Sequence, residues 1–234
     1  MARLPRIDLP GIPQHVVQRG NNRLPCFLDD GDRLRYLHLL ADALLATRCR
    51  LHAYVLMDNH VHLLVTPQDA GAIGKMMQRL GRNYVALFNG RHGRTGTLWE
   101  GRYKACLVDS ERYVLRCYRY IELNPVRARL VDDPVAYRWS SCAANTGQRP
   151  GSGLVPHAGW LALGSTDAER ASAYRTLLDE TLDDDTLAEI RSYLQQQRAL
   201  GHDAFRAIVE AKTRRFAGTR PAHRPPRPTP TTGK

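Results

Sequence analysis

The chain has 234 residues, 43% of them hydrophobic, and carries 34 Lys and Arg against 23 Asp and Glu for a formal net charge of +11. That length and apolar content suffice for one large core plus an appendage, and the cationic excess points to a polyanionic partner, nucleic acid first. No apolar run is long enough to cross a bilayer, Met1-Ala2-Arg3-Leu4-Pro5-Arg6 opens no signal peptide, and five scattered cysteines without a Cys-x-x-Cys pair argue against a zinc ribbon and for a reducing cytoplasm.

Gln14-His15-Val16-Val17-Gln18-Arg19 reads as a first strand, ended by Gly20-Asn21-Asn22. Asp29-Asp30 caps a helix reaching about Thr47, with Leu34, Leu37, Leu39, Leu40, Leu44 and Leu45 as its apolar side. Residues 49–56 and 60–66 read as two strands joined by turn-forming Asp58-Asn59. Ile73, Met76, Met77, Leu80, Tyr84 and Leu87 recur at helical spacing, which predicts a helix over 72–89. A fourth strand lies near 103–108, and Asp109 or Ser110 caps a third major helix from Glu111 to about Leu123, limited by Pro125. The order strand, helix, strand, strand, helix, strand, helix predicts an α+β fold of ferredoxin-like layout, an antiparallel sheet with helices on one face. We divide the chain into a domain over residues 1–150, a helical extension over 151–216 with helices near 169–178, 184–198 and 203–216, and a basic, Pro-rich tail over 217–234 expected to be disordered.

His60-Val61-His62 is the most informative motif. On a strand, alternate side chains share a face, so the two imidazoles point the same way and can hold one metal ion with positions left open. They can equally be two polar groups on a solvated face, although the apolar flanks Leu56, Met57, Leu63, Leu64 and Val65 place them where imidazoles need partners. Tyr120 and Asn124 lie four residues apart on the third helix and share one side of it. An Asn amide oxygen can complete a metal's coordination and a Tyr hydroxyl can attack a substrate held there, but Tyr113 and Tyr118 lie on the same helix and Asn124 before Pro125 can be only a helix stop.

His60-Val61-His62 together with Tyr120-Ile121-Glu122-Leu123-Asn124-Pro125 resembles the single-tyrosine transposases of the HUH (His–hydrophobe–His) superfamily, especially the REP-associated tyrosine transposases. Gln14-His15-Val16-Val17-Gln18-Arg19-Gly20-Asn21, Tyr54-Val55-Leu56-Met57-Asp58-Asn59 and Trp99-Glu100-Gly101-Arg102-Tyr103-Lys104 add to the likeness, which spans roughly residues 1–145. The resemblance implies that His60, His62 and Asn124 bind Mg²⁺ or Mn²⁺ and that Tyr120 is the catalytic tyrosine. It also implies cleavage of hairpin-forming single-stranded DNA through a 5′-phosphotyrosine intermediate with a free 3′-hydroxyl. Insertion-sequence members carry Gln at the Asn124 position, so the shorter Asn has further to reach. Arg79, Arg82, Arg91, Arg94, Arg102 and Lys104, with Arg19 and Asn21, are candidate DNA contacts. Trp99 and Tyr103 are candidates for base stacking, while Tyr84 reads as core. The competing readings are a non-catalytic hairpin-DNA regulator, which keeps the charge but not the need for Tyr120, and a metal-dependent nuclease using water. The long C-terminal extension favours a monomer over a homodimer, acting in the cytoplasm at the nucleoid.

Overall fold

A computed structural model describes residues 6–110 and 113–220. Four strands form the predicted antiparallel sheet: β1 (Gln14–Arg19), β2 (Cys49–Met57), β3 (His60–Pro67) and β4 (Lys104–Val108), in the spatial order β2-β3-β1-β4. A short β5 (Ala199–Leu200), absent from the sequence reading, joins β4 in parallel and makes the sheet mixed. The fold is α+β.

Alternation sorts the strands into two cores. Val16, Leu63, Val65 and Ala105 face α1 (Asp30–Thr47) and α2 (Ala72–Arg91), which cover one side of the sheet. Leu64, Cys106 and Val108 face α3 (Val114–Glu122) on the other. Helices therefore occupy both faces, because α3 and the C-terminal segment bury an apolar surface that the one-sided layout would leave wet. In α1 the buried stripe runs through Tyr36, Leu40, Ala43 and Leu44, whereas Leu34 and Leu45 are exposed. A β-bulge between Leu51 and Ala53 shifts the β2–β3 register, so Leu51 and Leu56 meet the same core although a regular strand would point residues at this spacing to opposite faces.

The described α3 begins at Val114 with Tyr113 at its N-cap position, and Glu111 lies outside the described residues. The amide of Asp109 donates to the carbonyl of Leu200 and its carboxylate pairs with His202 at 2.7 Å, so it anchors β5. At Leu123 the backbone leaves the helix, and α4 (Asn124–Arg127) restarts it with Pro125 in its first turn. Proline has no N–H to continue the α3 ladder. Two single-turn helices follow, α5 (Cys142–Asn145) and α6 (Ala158–Leu161), then α7 (Asp167–Asp179), α8 (Asp184–Gln196) and α9 (Asp203–Thr213). Trp160, Tyr174, Ile190 and Leu194 from this segment share a core cluster with Tyr118 and Ile121 of α3. The start of the tail is ordered, against expectation. Ala217 is fully buried and accepts from the amide of Ala199, and Gln196 bonds both the amide and the carbonyl of Arg220. Residues 221–234 lie outside the described residues.

Candidate active site

The site is built on one face of the sheet. In the β1–β3 pairing Arg19 lies opposite His60, Val17 opposite His62 and His15 opposite Leu64, and in the β1–β4 pairing Val17 lies opposite Lys104. Directly paired residues of antiparallel strands point to the same side. The pleat alone therefore gathers His15, Arg19, His60, His62 and Lys104 into one floor. Gly20 ends β1 where the chain turns sharply: a Cβ there would lie 2.2 Å from the carbonyl oxygen of Leu24.

The helix α3 lays Tyr120 across this floor. Its ring centroid is 5.9 Å from that of His62 and 5.5 Å from that of His15, and the two histidines of the motif are 5.1 Å apart. Tyr118 is buried against Tyr174 and Tyr113 is covered by Arg116, so neither competes with Tyr120. The setting of α3 is fixed by Glu122. This buried carboxylate accepts hydrogen bonds from Ser141, from Asn145 at 2.7 Å and from the Tyr174 hydroxyl at 2.7 Å. Burial outweighs those donors and pushes its pKa up to about 7.

His15 is the functional residue the sequence reading missed. It is fully buried, and its Nε2 lies 2.8 Å from Nδ1 of His62. Nδ1 of His60 lies 2.7 Å from Oδ1 of Asn59. Each motif histidine thus has its Nδ1 held by a neighbour and its Nε2 without a hydrogen bond among the described residues, the arrangement in which imidazole ligands are oriented for a metal. The signal available was His15 itself, a polar residue in an alternating strand on the Val17 side. Burial, then the charge of Arg127, holds His15 down to about 3; burial, then Arg19, holds His60 down to about 4. Burial and the neighbouring His15, His60, Arg127 and Arg19 keep His62 well below its ordinary value. All three are neutral at pH 7, as ligation requires. Among the described residues, no group of three or more His, Cys, Asp or Glu side chains is placed to hold a metal, and an ion at His60 and His62 would need a third protein ligand of another type. Asn124 lines the same cleft as His60, His62 and Tyr120. Two neutral imidazoles and an amide oxygen fit a divalent ion.

That cleft has a volume of about 900 Å³. Arg19, Arg102, Tyr103 and Lys104 line it as the sequence suggested, and Arg6, Arg23, Arg127 and Arg191 line it without having been singled out. Glu100 is the one carboxylate among the described lining residues. Arg191, Leu194, Gln195 and Gln197 bring the C-terminal extension into the wall, and Lys104 donates to Gln195 at 2.5 Å. The remaining candidates are not brought there. Asn21 sits in the turn after β1, its amide bonded to Leu98. Arg79 and Arg82 are exposed on α2 across the sheet, Arg91 pairs with Asp29 and Asp32, and Arg94 lies over Phe88. Trp99 is buried in the core, and the hydroxyl of buried Tyr84 donates to the carbonyl of Cys26.

Residues 10–124 match the family described as "Transposase IS200 like". Among solved structures, a REP-associated tyrosine transposase bound to a REP hairpin matches with a TM-score of 0.50 at 17% identity, covering 67% of this chain and 89% of that one. A protein of Deinococcus radiodurans R1 assigned as a transposase matches with a TM-score of 0.36 at 20% identity, covering 56% and 91%. No curated protein matches the sequence.

Proposed function

We propose, from the match of residues 10–124 to the IS200-like transposase family, that this chain nicks and rejoins hairpin-forming single-stranded DNA with Tyr120 as nucleophile. The observation that carries this reading is the packing of Tyr120 against His62 in a cleft lined by cations. In the reaction the Tyr120 hydroxyl oxygen bonds to phosphorus and the P–O3′ bond breaks. The phenolic proton passes to solvent, and the departing 3′ oxygen takes up a proton and leaves as a hydroxyl. The product is a 5′-phosphotyrosine, and attack by another 3′-hydroxyl reverses the step without an external energy source. A phenol with an ordinary pKa of about 10 is easier to ionise than an aliphatic alcohol and leaves more readily. His60, His62 and Asn124 would hold Mg²⁺ or Mn²⁺, which would neutralise charge on the phosphate oxygens when bound. The residues of the chain orient the phenol, exclude water beneath it and attract the strand.

The fold likeness to a transposase bound to a REP hairpin supports a hairpin substrate. A monomer is supported by α8 walling the cleft of its own chain and by the covered edge of β2, where the amide of Leu56 donates to Trp139, that of Ser141 to Tyr54 and that of Val155 to Leu51. The five unpaired cysteines accord with action in the cytoplasm, on the DNA of the nucleoid. No described helix is long and apolar enough to cross a membrane.

The test is a covalent adduct. Wild-type protein with Mn²⁺ and labelled hairpin oligonucleotides bearing single-stranded flanks is expected to give a protein–DNA band that survives denaturing electrophoresis. Tyr120→Phe and EDTA should each abolish the band. An undiminished band from Tyr120→Phe removes Tyr120 as nucleophile, and cleavage without an adduct would favour water instead.

A further inference from the structure

We infer that Arg127 and Arg191 form a two-guanidinium clamp for one phosphate of the DNA strand held at Tyr120, joining the family domain to the C-terminal extension in a single anion site. The inference rests on the reading of the cleft as a DNA site and adds residues that neither the family match nor the His/Tyr motifs assign.

Arg127 sits on α4, just past Asn124. Its guanidinium carbon lies 4.5 Å from the centroid of the Tyr120 ring, and its Nη2 donates to the Tyr120 carbonyl oxygen. Among the described residues its Nη1 is buried without a hydrogen-bond partner, and no carboxylate pairs with it. A half-buried guanidinium with one nitrogen unpartnered and no carboxylate beside it calls for an explanation. Burial lowers its pKa to about 10, which leaves it charged at neutral pH. Arg191 approaches the same cleft from α8, is exposed, and has no ion pair among the described residues. The two like charges act on each other unfavourably.

Two arginines without ion pairs in one cleft do not serve stability, since like charges destabilise the folded state. A bound anion reverses the sign of that interaction. A phosphodiester fits by chemistry, because a planar guanidinium fork matches two phosphate oxygens. The cation–π seat of Arg127 sets its guanidinium beside the phenol ring, on the wall of the cleft where a phosphate would lie. Such a pair acts on charge that builds on the phosphate as Tyr120 attacks, in addition to anything a metal supplies. It also gives the extension a task at the reaction centre.

The test measures binding of a fluorescein-labelled 30-mer of thymidine to the full chain by anisotropy, over roughly 50–300 mM KCl, where each lost phosphate contact lowers the slope of log K against log salt by about 0.7 for a single strand. Arg127→Ala and Arg191→Ala should each weaken binding and flatten the slope, while Arg82→Ala on the far face should not. Because both arginines grip one phosphate, the double variant should lose less in log K than the two single losses combined. Arg127→Lys should restore part of the slope but not the affinity. If Arg127→Ala fails to fold, the surface variant Arg191→Ala still decides. Wild-type slopes in both alanine variants overturn the clamp while leaving the cleft as a DNA site, and strictly additive losses overturn the shared phosphate. A wild-type protein that binds no single strand overturns the clamp together with the reading it rests on.

Discussion

His15 governs how His62 presents itself. Only one proton lies between Nε2 of His15 and Nδ1 of His62, 2.8 Å apart. When His62 carries it, the lone pair of His62 Nε2 is free for a metal; when His15 carries it, that nitrogen is protonated and closed. Replacing His15 with Leu removes the acceptor and leaves the His62 ring unoriented. The expected result is a 10- to 100-fold loss of Mn²⁺ affinity, by analogy with other outer-shell partners of metal-bound histidines, read by calorimetric titration with the far-ultraviolet circular dichroism unchanged. His15→Gln places an amide oxygen near the lost Nε2 and should retain most of the affinity. Equal affinities for Leu and Gln would show that His15 acts only by filling space. The residues of the two short motifs were legible because strand alternation and helical spacing are local. Arg127 and Arg191 were not, because their meaning comes from what they lack, and an absent partner has no pattern in sequence.

At the scale of elements, β2 departs most from its sequence pattern. The bulge places His52 between strand and loop, where Nδ1 lies 2.6 Å from the carbonyl oxygen of Val155 and Nε2 lies 2.7 Å from the Thr66 hydroxyl. When neutral, this buried imidazole donates from Nδ1 to Val155 and accepts at Nε2 from the Thr66 hydroxyl. Burial, outweighing the carbonyl of Val155, holds its pKa down to about 4. The unfolded chain, with His52 near its ordinary 6.5, therefore binds more protons between those values, so the stabilisation present above pH 6.5 is lost as pH falls towards 4. The window carries at most about 3 kcal/mol. His52→Asn keeps the bond to Val155 and removes the titration. Its stability deficit against wild type, measured by urea unfolding, should shrink from pH 7 to pH 4; a constant deficit would mean that His52 does not titrate in this window. Strand positions were readable from alternation in β1 and β3. The bulge was not, since one inserted residue reverses parity without changing composition. The break at Leu123 was half legible: Pro125 marks the end of α3, but the restart as α4, which carries Arg127 back over the tyrosine ring, is set by tertiary packing.

For the molecule as a whole, the question is whether the segment after Pro150 can be removed. Composition changes there, and the sequence suggests an appendage. The packing ties it to the half that carries Tyr120. Tyr174 of α7 donates to Glu122, two residues from Tyr120. Leu187, Ile190 and Leu194 of α8 belong to the same core cluster as Val114, Cys117 and Ile121 of α3, and β5 extends the sheet from the β4 edge. A chain ending at residue 150 exposes the outer side of α3 and the edge of β4 at once. Burying one large apolar side chain contributes about 1.5–3 kcal/mol, so losing a handful is comparable with the ~5–15 kcal/mol by which a domain is usually stable. The expected outcome is an insoluble product, or one without a cooperative thermal transition, in contrast to the full chain. The opposite result, a soluble fragment with native-like circular dichroism and a sharp melt, would establish residues 1–150 as an independent domain with the helices docked upon it. The single substitution Tyr174→Phe separates the two cases without truncation. It leaves the buried Glu122 carboxylate short of a donor and should cost about 1–3 kcal/mol if the extension is part of one cooperative unit. If α7 only docks, it should leave the main unfolding transition where it was and instead produce an earlier, separate one.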